Sequence, residues 1–199
     1  MRIPEENIAY AFKIVIIGAG GVGKTCLFNR YCFNSFNLNT NMTIGINFHS
    51  TYLRIKLRND KAHERQEKYV LNSIFDFGGQ ERFKSLIPKF IEGANGALLV
   101  FDSVSFLSFQ QLNYWYNKLV ENVNDSNIPK ILVGSKSDLL QKTPKAEIVS
   151  RDIINEIIRE KNLNGFFRTS ALKNYNILEV FKTLTNLILK RYNIEAIVI

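Results

Sequence analysis

Residues 13–25, KIVIIGAGGVGKT, decide the fold of this chain because they join a buried strand, a glycine loop and the start of a helix. Glycines let consecutive backbone N–H groups turn inward around phosphate oxygens, and the positive helix end adds to the attraction. Lys24 supplies a charge for phosphates, and the Thr25 hydroxyl is an oxygen ligand suited to Mg²⁺. The stretch predicts a Walker A loop; the alternative is an ordinary glycine turn, which the strand and helix flanks disfavour.

The composition indicates one soluble globular domain: 199 residues, of which 46% are hydrophobic and 22% charged. No apolar run reaches the roughly 18 residues that span a bilayer, and the first residues do not resemble a secretory signal. Two cysteines six apart on one predicted helix favour a reducing, cytoplasmic setting. The formal charge of +8 indicates a basic surface, which serves either an acidic partner or solubility.

Apolar segments alternate with helical patterns along the chain, apart from one predicted hairpin. The pattern predicts an α/β fold: a six-stranded, mostly parallel sheet with one antiparallel edge strand and helices on both faces. The aromatic residues that recur between 106 and 116 are interpreted as core. Residues 1–11 are interpreted as an extension, 12–192 as the domain and 193–199 as a tail. The predicted strands cover 13–17, 44–58, 69–75, 96–102, 130–134 and 166–169.

The polar candidates follow predicted strands, where ligands of such sheets bind. Asp76 ends one strand and begins the sequence DFGGQ, residues 76–80. A carboxylate there can hold Mg²⁺, and a following glycine lets the backbone approach a terminal phosphate. The alternative is a plain turn, which explains the two glycines and leaves Gln80 unassigned. Residues 135–138, SKSD, and 170–172, SAL, follow two further strands.

These segments, taken in order, make residues 12–192 resemble the Ras-like small GTPases, and within them the Rab branch most closely. The phosphate loop, Thr43, the DxxGQ sequence, SKSD and SAL match five family motifs. Rab-like detail is present in TIGINF (43–48), GQERF (79–83) and GANG (93–96). The resemblance implies a three-layer P-loop NTPase fold, the G domain.

Site residues follow from the resemblance, position by position. It implies that Gln80 is catalytic and positions the attacking water, and that Gly79 contacts the γ-phosphate. Mg²⁺ would be held by Thr25 and Thr43, with Asp76 acting through a bound water. The remaining residues implied to bind GTP or GDP are Gly20, Gly21, Val22, Gly23, Lys24, Cys26, Phe36, Ser135, Lys136, Asp138, Ser170, Ala171 and Leu172.

Base choice depends on Asp138, whose carboxylate can accept from both N1–H and the exocyclic amine of guanine. Adenine presents a lone pair at N1, so GTP is preferred over ATP. Ser135 stands where the family usually has asparagine, which bonds the base N7 and braces the phosphate loop. Threonine at that position in Rho-type relatives shows that a hydroxyl can serve, and Leu172 in place of lysine is also Rho-like.

The implied activity is a GTP/GDP switch with slow hydrolysis. Residues 36–43 contain no arginine, so we expect an activating protein to supply one and an exchange factor to release GDP. The alternative is a nucleotide-gated binding module with negligible hydrolysis, which Gln80 disfavours. A P-loop phosphotransferase would need an arginine-rich lid, and no recognition motif supports nucleic-acid binding.

Effectors are the other implied partners. Phe48, Phe75 and Phe90 match three aromatic positions that Rab proteins expose; otherwise they pack the sheet edge. The sequence ends without a cysteine and begins Met1-Arg2, so we expect neither a prenyl nor a myristoyl anchor. The basic charge and the apolar tail are consistent with weak, peripheral association with anionic lipid.

Overall fold

A seven-stranded sheet forms the centre of the protein, in the order β6-β5-β4-β1-β3-β2-β7. The computed structural model describes residues 3–37, 43–57, 67–78 and 87–199, and of Ile87 the backbone alone. The strands are β1 (Ile8–Ile17), β2 (Ile46–Leu57), β3 (Lys68–Phe77), β4 (Gly96–Asp102), β5 (Lys130–Ser135), β6 (Phe166–Arg168) and β7 (Ala196–Val198).

Strand direction agrees with the predicted mostly parallel sheet. β1 pairs in parallel with β3 and β4, and β4, β5 and β6 continue in parallel. β2 runs antiparallel to β3, with Asn47 directly opposite Asp76. β1 begins at Ile8, inside the segment interpreted as an extension.

The strand count of six was wrong, because residues 196–198 form a seventh strand beyond β2. Residues 55–57 of β2 pair with this strand, and the Ile199 N–H donates to the Arg54 carbonyl at 3.0 Å. Val198 is 7% exposed and packs into the core, and its N–H donates to Asn186 Oδ1 at 2.9 Å. β7 is therefore the strand at this edge of the sheet, and β2 is an interior antiparallel strand.

Helices cover both faces of the sheet, which confirms the three-layer prediction. They are α1 (Lys24–Phe33), α2 (Ile87–Ile91), α3 (Phe106–Gln110), α4 (Leu112–Asn122), α5 (Arg151–Glu160) and α6 (Ile177–Arg191). One core cluster joins the sheet to α1 and α6, and a second joins its other face to α2, α3, α4 and α5. None of the helices in the described ranges is both long and apolar enough to cross a bilayer.

Local sequence explains several helix boundaries. Gly23, with φ of 94°, lies just before α1, and Asn34, with φ of 49°, just after it. Ser105 and Ser150 cap α3 and α5, each side chain accepting a backbone N–H three residues on. The apolar repeat from residue 106 forms two helices. Phe109 and Trp115 are buried in the core as predicted, whereas the prediction was wrong for Phe106, which is 44% exposed.

Candidate nucleotide-binding site

The phosphate loop lies between β1 and α1 at the carboxyl end of the sheet, and two of its glycines are required by geometry. A Cβ at Gly18 would lie 2.1 Å from the Val100 carbonyl oxygen, so no side chain fits. Gly23 takes a left-handed conformation, and its carbonyl accepts from Leu27 N–H at 2.9 Å to begin the helix. The predicted backbone donors Gly20, Gly21, Val22 and Cys26 lie in this loop and first helical turn.

Lys24 is folded inward beneath the loop and is 4% exposed. Its ammonium donates to the carbonyls of Gly18 at 2.8 Å and Ala19 at 2.6 Å. Burial lowers the pKa of Lys24 to about 8, and the charge of Asp76 partly opposes this. The charge thus lies at the centre of the loop, where phosphate oxygens would restore the solvation that it has lost.

Three predicted Mg²⁺ ligands, which come from three separate elements, meet beside this loop. The Thr25 hydroxyl donates to Asp76 Oδ2 at 2.7 Å, and Thr25 Oγ1 lies 2.6 Å from Thr43 Oγ1. Because the single proton of Thr25 goes to the carboxylate, the Thr43 hydroxyl is the donor of this pair. Asn47 Nδ2 also donates to Asp76 Oδ2, at 3.0 Å.

The Asp76 carboxylate has the chemistry that a magnesium site requires. Asp76 is 0% exposed, and no described residue donates to its buried Oδ1. Burial raises the pKa of Asp76, while the hydrogen bonds from Thr25 and Asn47 and the charge of Lys24 oppose the rise. A buried, unpartnered carboxylate oxygen beside two hydroxyls fits Mg²⁺, which takes oxygen ligands and typically keeps one or two carboxylates plus substrate phosphates.

Ser135, at the end of β5, braces the phosphate loop. Its hydroxyl lies within hydrogen-bonding reach of the Val22 carbonyl and 2.9 Å from the Phe101 carbonyl. Lys136 follows in a left-handed conformation, with φ of 55°, and its ammonium pairs with Asp102 Oδ2 at 2.7 Å. The bracing contact that the sequence left open is therefore made, by a hydroxyl.

The two predicted base-recognition segments also lie together. The Ser170 hydroxyl donates to Asp138 Oδ1, and Ser170 Oγ accepts from the Lys173 N–H at 3.0 Å. Ser137 N–H donates to the Thr169 carbonyl at 3.0 Å, which ties the segments through their backbones. Leu172 is exposed on the same turn.

Phe36 follows α1 and lies beside Arg30, which sequence reasoning missed. The Arg30 guanidinium carbon is 5.9 Å from the centre of the Phe36 ring, and Arg30 Nε donates to the Ala171 carbonyl at 2.8 Å. Arg30 thus links the segment after α1 to the predicted base-edge turn. The sequence carried no motif for this contact, because its partner is remote in the chain.

Gly79 and Gln80 lie outside the described residues. Immediately before them, the Gly78 N–H donates to the Gly45 carbonyl at 2.9 Å. Gly45 is two residues after Thr43, so the backbone joins the ends of both predicted switch segments at this point.

Phe48, Phe75 and Phe90 form a connected aromatic cluster on β2, β3 and α2. Ring centres are 4.9 Å apart for the first pair and 6.5 Å for the second. Phe48 is 56% exposed, Phe90 is exposed and Phe75 is half-buried, with the Lys13 ammonium 4.9 Å from the Phe75 ring centre. The cluster therefore presents aromatic surface to solvent beside the site.

Comparison with known protein families identifies one family that matches most of the chain. The family model described as the Ras family matches residues 13–190, which include β1 from Lys13 onward and nearly all of α6. The match therefore spans the phosphate loop, the β2–β3 hairpin and both base-recognition segments. The chain belongs to the Ras family, whose members are small GTPases that bind and hydrolyse GTP.

Proposed function

We propose that the protein is a Rab-type switch that binds GTP and GDP with Mg²⁺, hydrolyses GTP slowly and recruits effectors in membrane trafficking. The observation that carries the proposal is the meeting of Thr25, Thr43 and Asp76 beside the buried Lys24. The Rab-like sequences TIGINF and GQERF, residues 43–48 and 79–83, support the branch.

Phosphate binding uses the loop and Lys24. Loop N–H groups and the amino end of α1 would bind one anion, and Lys24 would exchange its carbonyl partners for phosphate oxygens. Thr25, Thr43 and Asp76 would hold Mg²⁺, which when bound neutralises charge on the β- and γ-phosphates. Thr25 donates its proton to Asp76 and accepts from Thr43 with one lone pair, so its second lone pair would serve the metal.

Guanine selection uses Asp138. The Ser170 hydroxyl holds one of its oxygens, which fixes the carboxylate against the base-edge turn. An ionised carboxylate accepts hydrogen bonds and donates none, so it pairs with the two donors on the guanine edge and repels the adenine lone pair.

Hydrolysis would depend on Gln80, which orients the attacking water. With no arginine between residues 36 and 43, no finger comes from that loop, and unaided turnover in this superfamily is about 10⁻⁴ s⁻¹. An activating protein that supplies an arginine would accelerate the step by about 10³ to 10⁵.

Signal output would depend on the two loops that reach the γ-phosphate. Thr43 and Gly79 would tie both loops to GTP, and phosphate loss would release them. Because the Gly78 N–H donates to the Gly45 carbonyl, a displacement of the segment that follows Thr43 would be transmitted to the segment that begins at Gly78. The aromatic cluster of Phe48, Phe75 and Phe90 lies on β2, β3 and α2, which adjoin the two segments in sequence, and an effector would read the change there.

A binding assay tests the base and the metal. Nucleotide-free protein is titrated with fluorescent GDP and ADP, with Mg²⁺ or with EDTA; we expect GDP to bind far more tightly, and Mg²⁺ to slow its release. Asp138→Asn exchanges an acceptor for an amide that also donates, so it should shift preference from GDP toward xanthosine diphosphate. Comparable affinities for GDP and ADP would defeat the proposal.

Single-turnover hydrolysis tests the enzymatic part. Wild type should convert bound GTP below about 0.1 s⁻¹, and Gln80→Leu should be slower still at unchanged GDP affinity. Equal rates for wild type and Gln80→Leu would favour the alternative, a nucleotide-gated binding module with negligible hydrolysis.

A further inference from the structure

We propose that Asn47 is a positioning residue for the magnesium site, orienting the Asp76 carboxylate so that Oδ1 faces the metal. Asn47 Nδ2 donates to Asp76 Oδ2 at 3.0 Å. The inference rests on the proposed Mg²⁺-dependent nucleotide binding and adds a residue that acts through Asp76, without itself touching the metal.

Sheet register places the two side chains together. Asn47 on β2 and Asp76 on β3 are direct partners in the antiparallel pair. The Cβ atoms of such partners lie about 4.5–5.5 Å apart on one face of the sheet, which suits a short amide reaching a short carboxylate. The contact follows from the backbone pairing, so it is reproduced whenever the hairpin forms in this register.

The hydrogen bonds of the carboxylate are one-sided. Oδ2 receives both the Thr25 hydroxyl at 2.7 Å and the Asn47 amide, while no described residue donates to Oδ1. Asp76 is 0% exposed, so turning its carboxylate would break both part-buried bonds and leave a buried oxygen without its donors. Because both donors bind Oδ2, Oδ1 is the carboxylate oxygen that remains available to face the metal.

Of the two residues that donate to Asp76, Asn47 is the one whose only proposed role is to hold the carboxylate in place. Thr25 is itself a proposed ligand, whereas the Asn47 amide fixes the carboxylate and adds no charge. Outer partners of this kind typically change metal affinity 10- to 100-fold when removed. Asn47 also lies four residues after Thr43, so moving this part of β2 would withdraw one ligand and the brace together.

The test measures release of fluorescent GDP as a function of free Mg²⁺ for wild type, Asn47→Ala and Asn47→Leu. Leucine branches at Cγ as asparagine does, is larger and lacks the donor, so it carries the test if the alanine variant unfolds. We expect the half-effective Mg²⁺ concentration to rise about tenfold or more in both variants. Release in EDTA should stay within about twofold of wild type, because the metal is then absent. Ser50→Ala, on the opposite face of β2 by strand alternation, is the matched control and should behave as wild type.

The possible outcomes separate the positioning role of Asn47 from the proposed metal-dependent function. Unchanged Mg²⁺ dependence in both variants overturns the positioning role while the proposed function stands. Faster release by the same factor with Mg²⁺ and with EDTA shows a general structural defect and also overturns it. Wild-type release that ignores Mg²⁺ refutes the metal-dependent function itself, and the inference with it.

Discussion

Replacing Ser135 with alanine removes the hydroxyl that ties the phosphate loop to the end of β5. That hydroxyl lies against the Val22 carbonyl and 2.9 Å from the Phe101 carbonyl, and Ser135 is 5% exposed. Water therefore does not replace the lost donor. We expect Ser135→Ala to loosen the loop and to weaken GDP binding.

The size of the effect follows from burial. A buried acceptor left without its donor costs about 1–3 kcal/mol. Part of this cost lowers the free energy of unfolding. The remainder disorders the phosphate loop, and nucleotide binding must then supply the free energy that orders it again. A share of about 1.4 kcal/mol corresponds to a tenfold rise in the dissociation constant for GDP.

Stopped-flow association and dissociation of fluorescent GDP, with thermal unfolding of the same samples, measures both parts. Ser137→Ala, which removes a hydroxyl two residues along the same segment, is the control. If Ser135→Ala binds GDP within about twofold of wild type, the bracing role is refuted, because twofold corresponds to only about 0.4 kcal/mol of loop ordering against the expected share of about 1.4 kcal/mol.

The same hydroxyl gives a second readout. Its one proton is shared between two main-chain carbonyls, so none remains for the N7 acceptor of a bound purine. Wild type should bind 7-deaza-GDP and GDP within about twofold of each other, whereas Ser135→Asn, which adds two amide donors, should prefer GDP. Strong discrimination by wild type would contradict this assignment of the proton.

Four further predictions concern pH and stability. In the nucleotide-free, metal-free protein the pKa of Lys24 is about 8, so phosphate binding at higher pH must be coupled to uptake of a proton by Lys24. The affinity for GDP should therefore fall up to about tenfold per pH unit above 8. Calorimetry in two buffers of different ionisation enthalpy should detect the proton uptake. Because the ordinary pKa is 10.5, the unfolded chain holds more protons between pH 8 and 10.5, and nucleotide-free stability should rise across that window. Gly18→Ala should prevent folding or cost more than about 4 kcal/mol, since its Cβ would meet the Val100 carbonyl at 2.1 Å; the roomier Gly21→Ala should cost about 1 kcal/mol in thermal unfolding. Val198→Ala should lower the unfolding free energy by about 1–2 kcal/mol, whereas Ile197→Ala, 49% exposed, should change it by less than about 0.5 kcal/mol.

The parallel part of the sheet could be predicted because its strands are buried on both faces and read as continuous apolar runs. β4 was predicted at residues 96–102, its observed bounds, and every residue in it is buried. β7 could not be predicted, because three residues carry too little alternation and the free edge of β2 that pairs with them is invisible in local sequence.

The residues of the candidate site likewise fall into a group that the sequence predicted and a group that it did not. Glycine spacing and the carboxylates at strand ends identified the loop, Asp76 and Asp138, since such groups are tied to motifs a few residues long. Arg30 and Asn47 were missed, because each acts on a partner brought close by packing or by sheet register.

The sequence by itself determined the phosphate loop and the three-layer α/β fold, because glycine freedom and apolar periodicity are local properties of the chain. Membership of the Ras family rests on the match of residues 13–190 to the family model. Tertiary structure alone decided that Ser135 contacts the loop, that Oδ1 of Asp76 has no donor among the described residues, and that residues 196–198 add a seventh strand. Those outcomes depend on which distant groups share a buried space, where each donor has one proton and each unpaired oxygen is costly.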